Sequence, residues 1–302
     1  MKKLFYIFLS AAVALSLSAC TADEVAKVEV NSIDSLIAES KKEINEDGSY
    51  YISDFDANGR TLRTISYFAD DRPAGSSVYE YDEEDRNIRR TNYTAEGVMQ
   101  RYTVYEYDAA GNRTKMTVYD DKDAMLTYSV YEYDNKNNLV RETDYNTNGL
   151  LDDKYEFEYD VDGNIVLIRN FTEDDMVDYE NEFDKDGVLL RIKWYRGTGS
   201  LQTIAEPEYN ETGVAVKNRE YYADGKIKTV VTNDENGKPL TKEDYNKNGI
   251  MVCYSTYGKN EKMTGKTEYS DDGVKLGYSE YDENGQIVKI EIYNPDGTVK
   301  KQ

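Results

Sequence analysis

Along most of this chain apolar and polar positions alternate in short runs, and the alternation restarts every 12 or 14 residues at a residue that is aromatic in all cases but one. The restart points are Phe55, Tyr67, Tyr81, Tyr93, Tyr107, Tyr119, Tyr133, Tyr145, Tyr159, Phe171, Phe183, Tyr195, Tyr209, Tyr221, Asn233, Tyr245, Tyr257, Tyr269, Tyr281 and Tyr293. About eight residues separate one turn signal from the next, the usual length of a strand. In Ser129-Val130-Tyr131-Glu132-Tyr133 the period of two puts Tyr131 and Tyr133 on one face and Glu132 on the other. Tyr79/Tyr81, Tyr105/Tyr107 and Phe157/Tyr159 repeat the arrangement, and an apolar residue often follows six positions after the anchor, as at Leu139, Ile165, Leu189 and Ile287. Together these signals predict one buried face.

Each anchor is usually followed by Asp or Asn, and three residues later by Gly, as in Tyr159-Asp160-Val161-Asp162-Gly163-Asn164. Asp or Asn opening a type I turn bonds back to the turn backbone, and a residue with φ > 0 closes it as a hairpin bulge. The closing position is Gly except at Asp71, Asp85, Asp123, Asn137, Asp175 and Glu261. Of these only glutamate is poorly suited to the left-handed region. The prediction is all-β: an elongated antiparallel β-hairpin repeat array of about twenty strands, in a single twisted or coiled sheet.

Composition sharpens this picture. The mean hydropathy is −0.80 and the chain is poor in Leu, Ile, Val and Phe, which borders on the composition of disordered chains. Its 29 tyrosines tip the balance toward a fold, because a tyrosine buries a large ring while its hydroxyl stays wet, which suits a thin sheet with no deep interior.

The first residues differ from the rest. Lys2 and Lys3 precede an apolar run from Leu4 to Leu17, the pattern of a signal peptide, too short for a membrane span. Leu17-Ser18-Ala19-Cys20 resembles the bacterial lipobox, which implies cleavage before Cys20 and lipidation of that cysteine. The expected organisation is a lipoprotein signal peptide over 1–19, a linker over 20–50 and the repeat domain over 51–302. Within the linker, Ser32 is positioned to cap a short helix carrying Ile33, Leu36, Ile37 and Ile44 on one side and covering the first strand edge, and the segment also reads as a spacer between the membrane and the array. With Cys20 acylated, Cys253 is the remaining thiol, and no intramolecular disulfide is expected.

Charge and residue chemistry exclude several functions. The net charge is −22, from 59 acidic and 37 basic residues, which opposes binding to nucleic acid or to anionic lipid surfaces. The chain has no histidine, so Ser-His-Asp and Cys-His catalysis and His-containing zinc sites are absent. Turns such as Asp160-Val161-Asp162-Gly163 lack the spaced oxygen ligands and terminal bidentate Glu of a calcium loop. Neither a metal nor a cofactor is expected, nor an intrinsic enzymatic activity. The candidate contact residues are Trp194, the single tryptophan, with Tyr195 and Tyr222, which break the usual polarity beside the Gly197-Thr198-Gly199 turn and the Tyr221 anchor.

Tyr81-Asp82, Tyr107-Asp108 to Gly111-Asn112, Tyr133-Asp134, Tyr159-Asp160 to Gly163-Asn164 and Tyr281-Asp282 to Gly285 resemble the YD repeats of RHS-type proteins. The alternation of shorter hairpins also resembles MORN-type repeats. The resemblance spans roughly 51–302 and implies a β-hairpin sheet on bacterial surface or secreted proteins that bind or enclose a partner. The chain is too short for the closed shell of full RHS proteins and shows no cleavage core or toxin tail, so encapsulation is not expected. The resulting expectation is a lipoprotein anchored in the bacterial cell envelope, at the outer membrane or cell surface. Its array would serve as a binding or structural module for a protein or glycan. A carbohydrate-directed protein (a glycan binder or, less favoured, a glycosidase) and an immunity- or antitoxin-like protein are the alternatives.

Overall fold

The computed structural model describes residues 33–300. Cys20 and Ser32 lie outside them. The described residues hold 21 strands in antiparallel pairings and a single 3₁₀ turn at Asp34–Leu36. They divide into two compact units: residues up to Tyr107 with Met116–Leu126, and Asp108–Lys115 with Thr127 onward.

In the first unit β1 (Glu39–Ile44), β2 (Tyr50–Phe55), β3 (Thr61–Tyr67), β4 (Pro73–Tyr81), β5 (Asn87–Tyr93) and β6 (Met99–Tyr107) pair each with the next. Strands β7 (Arg113–Asp120) and β8 (Met125–Tyr133) contribute residues to both units. The second unit continues through β9 (Leu139–Tyr145), β10 (Leu151–Tyr159), β11 (Ile165–Phe171), β12 (Val177–Phe183), β13 (Leu189–Tyr195), β14 (Leu201–Tyr209) and β15 (Ala215–Tyr222). It ends with β16 (Ile227–Asn233), β17 (Pro239–Tyr245), β18 (Met251–Tyr257), β19 (Met263–Tyr269), β20 (Lys275–Tyr281) and β21 (Ile287–Ile292). From β8 to β21 each strand again pairs with its sequence neighbour.

The connections are the predicted turns. At the Tyr159 anchor, Asp160 N–H donates to Asn164 O at 2.9 Å and Gly163 N–H to Asp160 O at 3.3 Å. The Asp160 Oδ1 atom accepts from the Asp162 and Asn164 amides at 2.9 Å each. All twenty closing positions have positive φ, from Gly59 to Gly297, and even Glu261 adopts +62°. Just inside such turns the register slips by one, as where Glu158 faces Leu167 while Tyr159 faces Ile165.

Two expectations need correction. The linker contains no helix around Ile44: that residue ends β1, and Asn45–Gly48 forms another turn of the same kind, with Gly48 N–H donating to Asn45 O at 3.0 Å. Ile44 is an aliphatic anchor with the turn chemistry intact, so the array begins at Glu39, and β1 rather than a helix covers the edge of β2. Second, the aromatic rings do not share one face. Tyr93 lies opposite Ser76 and Thr91 opposite Val78, whereas Ser77 lies opposite Asn92 and Tyr79 opposite Arg90. Directly opposed residues share a face and neighbours alternate, so Tyr79 and Ser77 point one way and Tyr93 and Thr91 the other. The second unit repeats this division, with Ser129 and Tyr131 on one face and Thr143 and Tyr145 on the other.

With rings on both faces, neither is bare. Tyr50 stacks on Tyr67 at 4.7 Å between centroids, Tyr102 on Tyr119 at 4.9 Å, and Tyr128 on Tyr145 at 4.5 Å. Hydroxyls of Tyr81, Tyr107, Tyr133 and Tyr159 donate to the carbonyls of Thr61, Asn87, Arg113 and Leu139. Small hydroxyl residues fill the strand centres between the rings, among them Thr91, Thr117, Ser129 and Thr143, all buried. Among the described residues the buried apolar set is only Leu62, Tyr93, Tyr131, Ala205 and Val230, and no large side chain is fully enclosed. The low hydropathy is thus compatible with folding because rings and hydroxyls do the covering locally.

Candidate functional site

Pairing register across β8 to β15 aligns one residue per strand into a transverse row. Tyr131 faces Glu142, which faces Tyr155. Tyr155 faces Asn170 and Asn170 faces Tyr179. Tyr179 then faces Trp194, Trp194 faces Thr203, and Thr203 faces Tyr222. Five of these eight side chains are aromatic, and all eight lie on one face, here the front. At ~4.8 Å per strand the row extends ~34 Å.

The row is firmly held. Tyr131, Asn170 and Thr203 are buried, and Tyr155, Tyr179, Trp194 and Tyr222 are half-buried. Asn170 Nδ2 donates to Asp153 Oδ1 at 2.7 Å, and Tyr155 Oη to Asp153 Oδ2 at 3.2 Å. Burial, with the neighbouring Tyr179 and Asp153, pushes the Tyr155 phenol up to about 12. Glu142 is also raised, by burial first and then by the charge of Asp144. A shallow pocket of about 490 Å³ on the back face is lined by Glu132, Arg141, Tyr145 and Lys154 among others, and both of its cations are already paired, Arg141 with Glu132 and Lys154 with Asp175.

The back face of the same strands carries an ion-pair ladder. Arg141 bridges Glu132 and Glu156 at 3.0 Å each. Arg169 bridges Glu158 at 2.5 Å and Glu180 at 2.9 Å. Lys193 joins Glu180 and Glu182 at 3.3 and 2.5 Å, and Arg191 joins Glu182 and Glu206 at 3.1 and 2.7 Å. Burial pushes the Glu180 carboxyl up, but donors from Arg169, Tyr195 and Lys193 outweigh it and hold the group below its ordinary value.

Of the candidate contact residues, Trp194 and Tyr222 come together on the front face on either side of Thr203. Tyr222 Oη donates to Tyr245 O at 2.8 Å. Tyr195 is separated from them: it points to the back face, where its hydroxyl donates to Glu180 Oε2 at 2.9 Å. Adjacent strand residues alternate, so two neighbours in sequence cannot serve one flat site. Tyr131, Tyr155 and Tyr179, not singled out from sequence, complete the row. Their signal is a spacing of 24 residues, two repeats, continued by Thr203.

No protein-family model and no curated protein sequence matches the chain. Among solved structures it is similar to TcdB2-TccC3-TEV, with 13% identity and a TM-score of 0.24 over 84% of this chain, which spans 18% of that one. It is also similar to a porin-like protein from Bacteroides uniformis, with 13% identity and a TM-score of 0.26 over 78% of this chain and 91% of that one. A Bacteroides fragilis protein of unknown function shares 12% identity over 53% of this chain and 94% of its own, with a TM-score of 0.13. At these TM-scores the likenesses carry no argument about function.

Proposed function

We propose that this protein is a lipid-anchored component of the bacterial cell envelope whose hairpin array is a recognition module, and that it recognises its partner with the front face of β8 to β15. The carrying observation is the register row of Tyr131, Tyr155, Tyr179, Trp194 and Tyr222. Half-buried rings held on a sheet present amphipathic contact area and lose little rotamer freedom on binding. The lipobox-like Leu17-Ser18-Ala19-Cys20 supports the anchor and the membrane association, and the net charge of −22 argues against nucleic acid as the partner. A glycan partner is the second reading, favoured by the same rings and by the apolar floor of Ile165, Ile168 and Phe183 in an adjoining pocket of about 390 Å³.

The test is titration of the intact protein against panels of peptides and glycans with Trp194 fluorescence as the signal. Trp194→Ala, followed by a label at another position, and Tyr179→Ala are expected to weaken the ligand found while leaving the circular dichroism and melting temperature nearly unchanged. Unfolding of both variants would make the rings purely structural and sink the reading; unchanged binding in both would move the contact surface elsewhere.

A further inference from the structure

The cations of β9 to β13 are segregated. Arg141, Lys154, Arg169, Arg191 and Lys193 are all the lysines and arginines on these five strands, and register places every one on the back face, opposite Glu132, Thr143, Glu156, Glu182 and Glu180 respectively. The front face of the same strands carries Glu142, Asp144 and Asp153 with no cation of its own.

These front carboxylates are arranged at a cost. Asp144 and Asp153 lie directly opposite each other, a placement that is destabilising for like charges. Asp153 accepts only from the neutral Asn170 and Tyr155. Asp144 Oδ1 is buried without a hydrogen-bond partner, a state that leaves a desolvated acceptor uncompensated. A cation does lie near the end of the row: Arg113 of β7 is 4.7 Å from the Tyr131 ring centroid, and its charge also acts on Glu142.

We infer that this face docks an extended polypeptide segment of a partner bearing lysine or arginine side chains, laid across the strands along the aromatic row; the inference rests on the recognition reading above. Carboxylates flanked by tyrosine rings receive an ammonium or guanidinium twice over, by charge-assisted hydrogen bonds and over the ring faces. Neutral sugars offer these carboxylates hydroxyl donors without the positive charge that would offset the like-charge contact, and acidic ones are repelled. Spacing favours a peptide in polyproline II conformation, which advances ~9.3 Å per three-residue turn. Tyr155 and Tyr179 sit two strands apart, ~9.6 Å, so every third side chain of such a peptide stays in phase with them.

The experiment titrates the full chain with a repeating Arg-Pro-Pro peptide, a Glu-Pro-Pro peptide, chitosan oligosaccharides and cello-oligosaccharides, reading Trp194 fluorescence. The Arg-Pro-Pro peptide is expected to give a saturable change that weakens as salt is raised. Asp144→Asn with Asp153→Asn is expected to weaken it about 10-fold or more, the scale of a lost charge-assisted contact. Glu173→Gln with Asp174→Asn, exposed turn residues removing the same formal charge, should leave affinity within about 2-fold. Equal losses in the two double variants would reduce binding to general acidity and overturn the inference. A response to the oligosaccharides alone would overturn it while leaving the front face a recognition site; silence towards every probe would remove both. Asp144→Asn alone, with circular dichroism, guards against misfolding, and because it relieves a like-charge contact its melting temperature should not fall.

Discussion

Tyr102 donates its hydroxyl to Asp123 Oδ1 at 2.8 Å across 21 residues of sequence, and Asp123 holds φ at +61° where most repeats place glycine. The pairing is general. Every non-glycine closing residue meets a side chain from an earlier hairpin: Asp71 meets Tyr50 at 2.9 Å, Asp85 meets Arg60 at 2.8 Å, and Asn137 meets Asn112 at 3.0 Å. Asp175 meets Lys154 at 2.7 Å, and Glu261 meets Lys238 at 3.7 Å. Replacing glycine costs backbone strain, and the side chain so acquired ties one hairpin to another.

The two effects are of similar size, which makes them separable. Left-handed φ costs a non-glycine residue about 1 kcal/mol, and a typical hydrogen bond contributes about 1 kcal/mol net. Asp123→Gly removes both and is expected to change unfolding free energy by less than about 0.5 kcal/mol. Asp123→Ala keeps the strain, loses the bond and should cost about 1 kcal/mol. Urea unfolding of the two variants beside Tyr102→Phe checks this; equal losses for Gly and Ala would show that strain plays no part.

Gly75 is a different case, inside β4 rather than in a turn. Its φ is +152°, and a Cβ there would lie 2.7 Å from Tyr93 O, a backbone atom of β5 that cannot swing away. Gly75→Ala is therefore expected to cost about 3 kcal/mol, the upper end for local strain. Gly163→Ala, at φ +90° with open space around it, should cost nearer about 1 kcal/mol. Thermal unfolding of the pair ranks them, and a reversed order would refute the close approach of β4 to Tyr93.

What was legible in sequence was local. Asp160 and Gly163 announce their turn because the bonds that close it span only a few residues, and twenty such turns imply the strands between them. Ile44 is not aromatic and so gives no anchor signal, although Asn45 and Gly48 carry the same turn signal. The division of Tyr79 and Tyr93 between two faces, and the alignment of Tyr131 with Tyr222, depend on register accumulated strand by strand. Each slip beside a turn, such as that between Glu158 and Tyr159, changes which residues oppose, so the row was not readable from spacing to the nearest anchor. The same alternation separates Trp194 from Tyr195, which sequence proximity had grouped.

Tyrosine ionisation should mark the alkaline limit of the fold. Tyr155 is pushed up to about 12 by burial first, and Tyr245 to about 12 by the hydrogen bond to Glu243 first. Raised folded values mean that the neutral form is favoured on folding, so this stability is fully present below the ordinary phenol value and is lost as pH rises from about 10 to about 12. Melting temperature should fall across that window, with phenolate absorbance appearing late for these two residues. Tyr155→Phe should shallow the fall; an identical pH profile in Tyr155→Phe and wild type would exclude this residue as a contributor.

On the proposed lipoprotein reading, anchoring would be decided by Cys20. A single acyl chain holds a protein to a membrane only marginally and reversibly, so durable attachment requires more than one chain on the cysteine or a second membrane signal. The strongly acidic array offers no electrostatic second signal, since anionic headgroups repel it. Membrane association should therefore depend on the lipid alone: Cys20→Ser is expected to move the protein from the membrane fraction to the soluble one and to abolish incorporation of labelled fatty acid. Raising the salt concentration should not release the wild type, because no charge attraction contributes. Retention of the unacylated variant in the membrane fraction would mean that another contact, such as a protein partner held by the array, supplies the attachment.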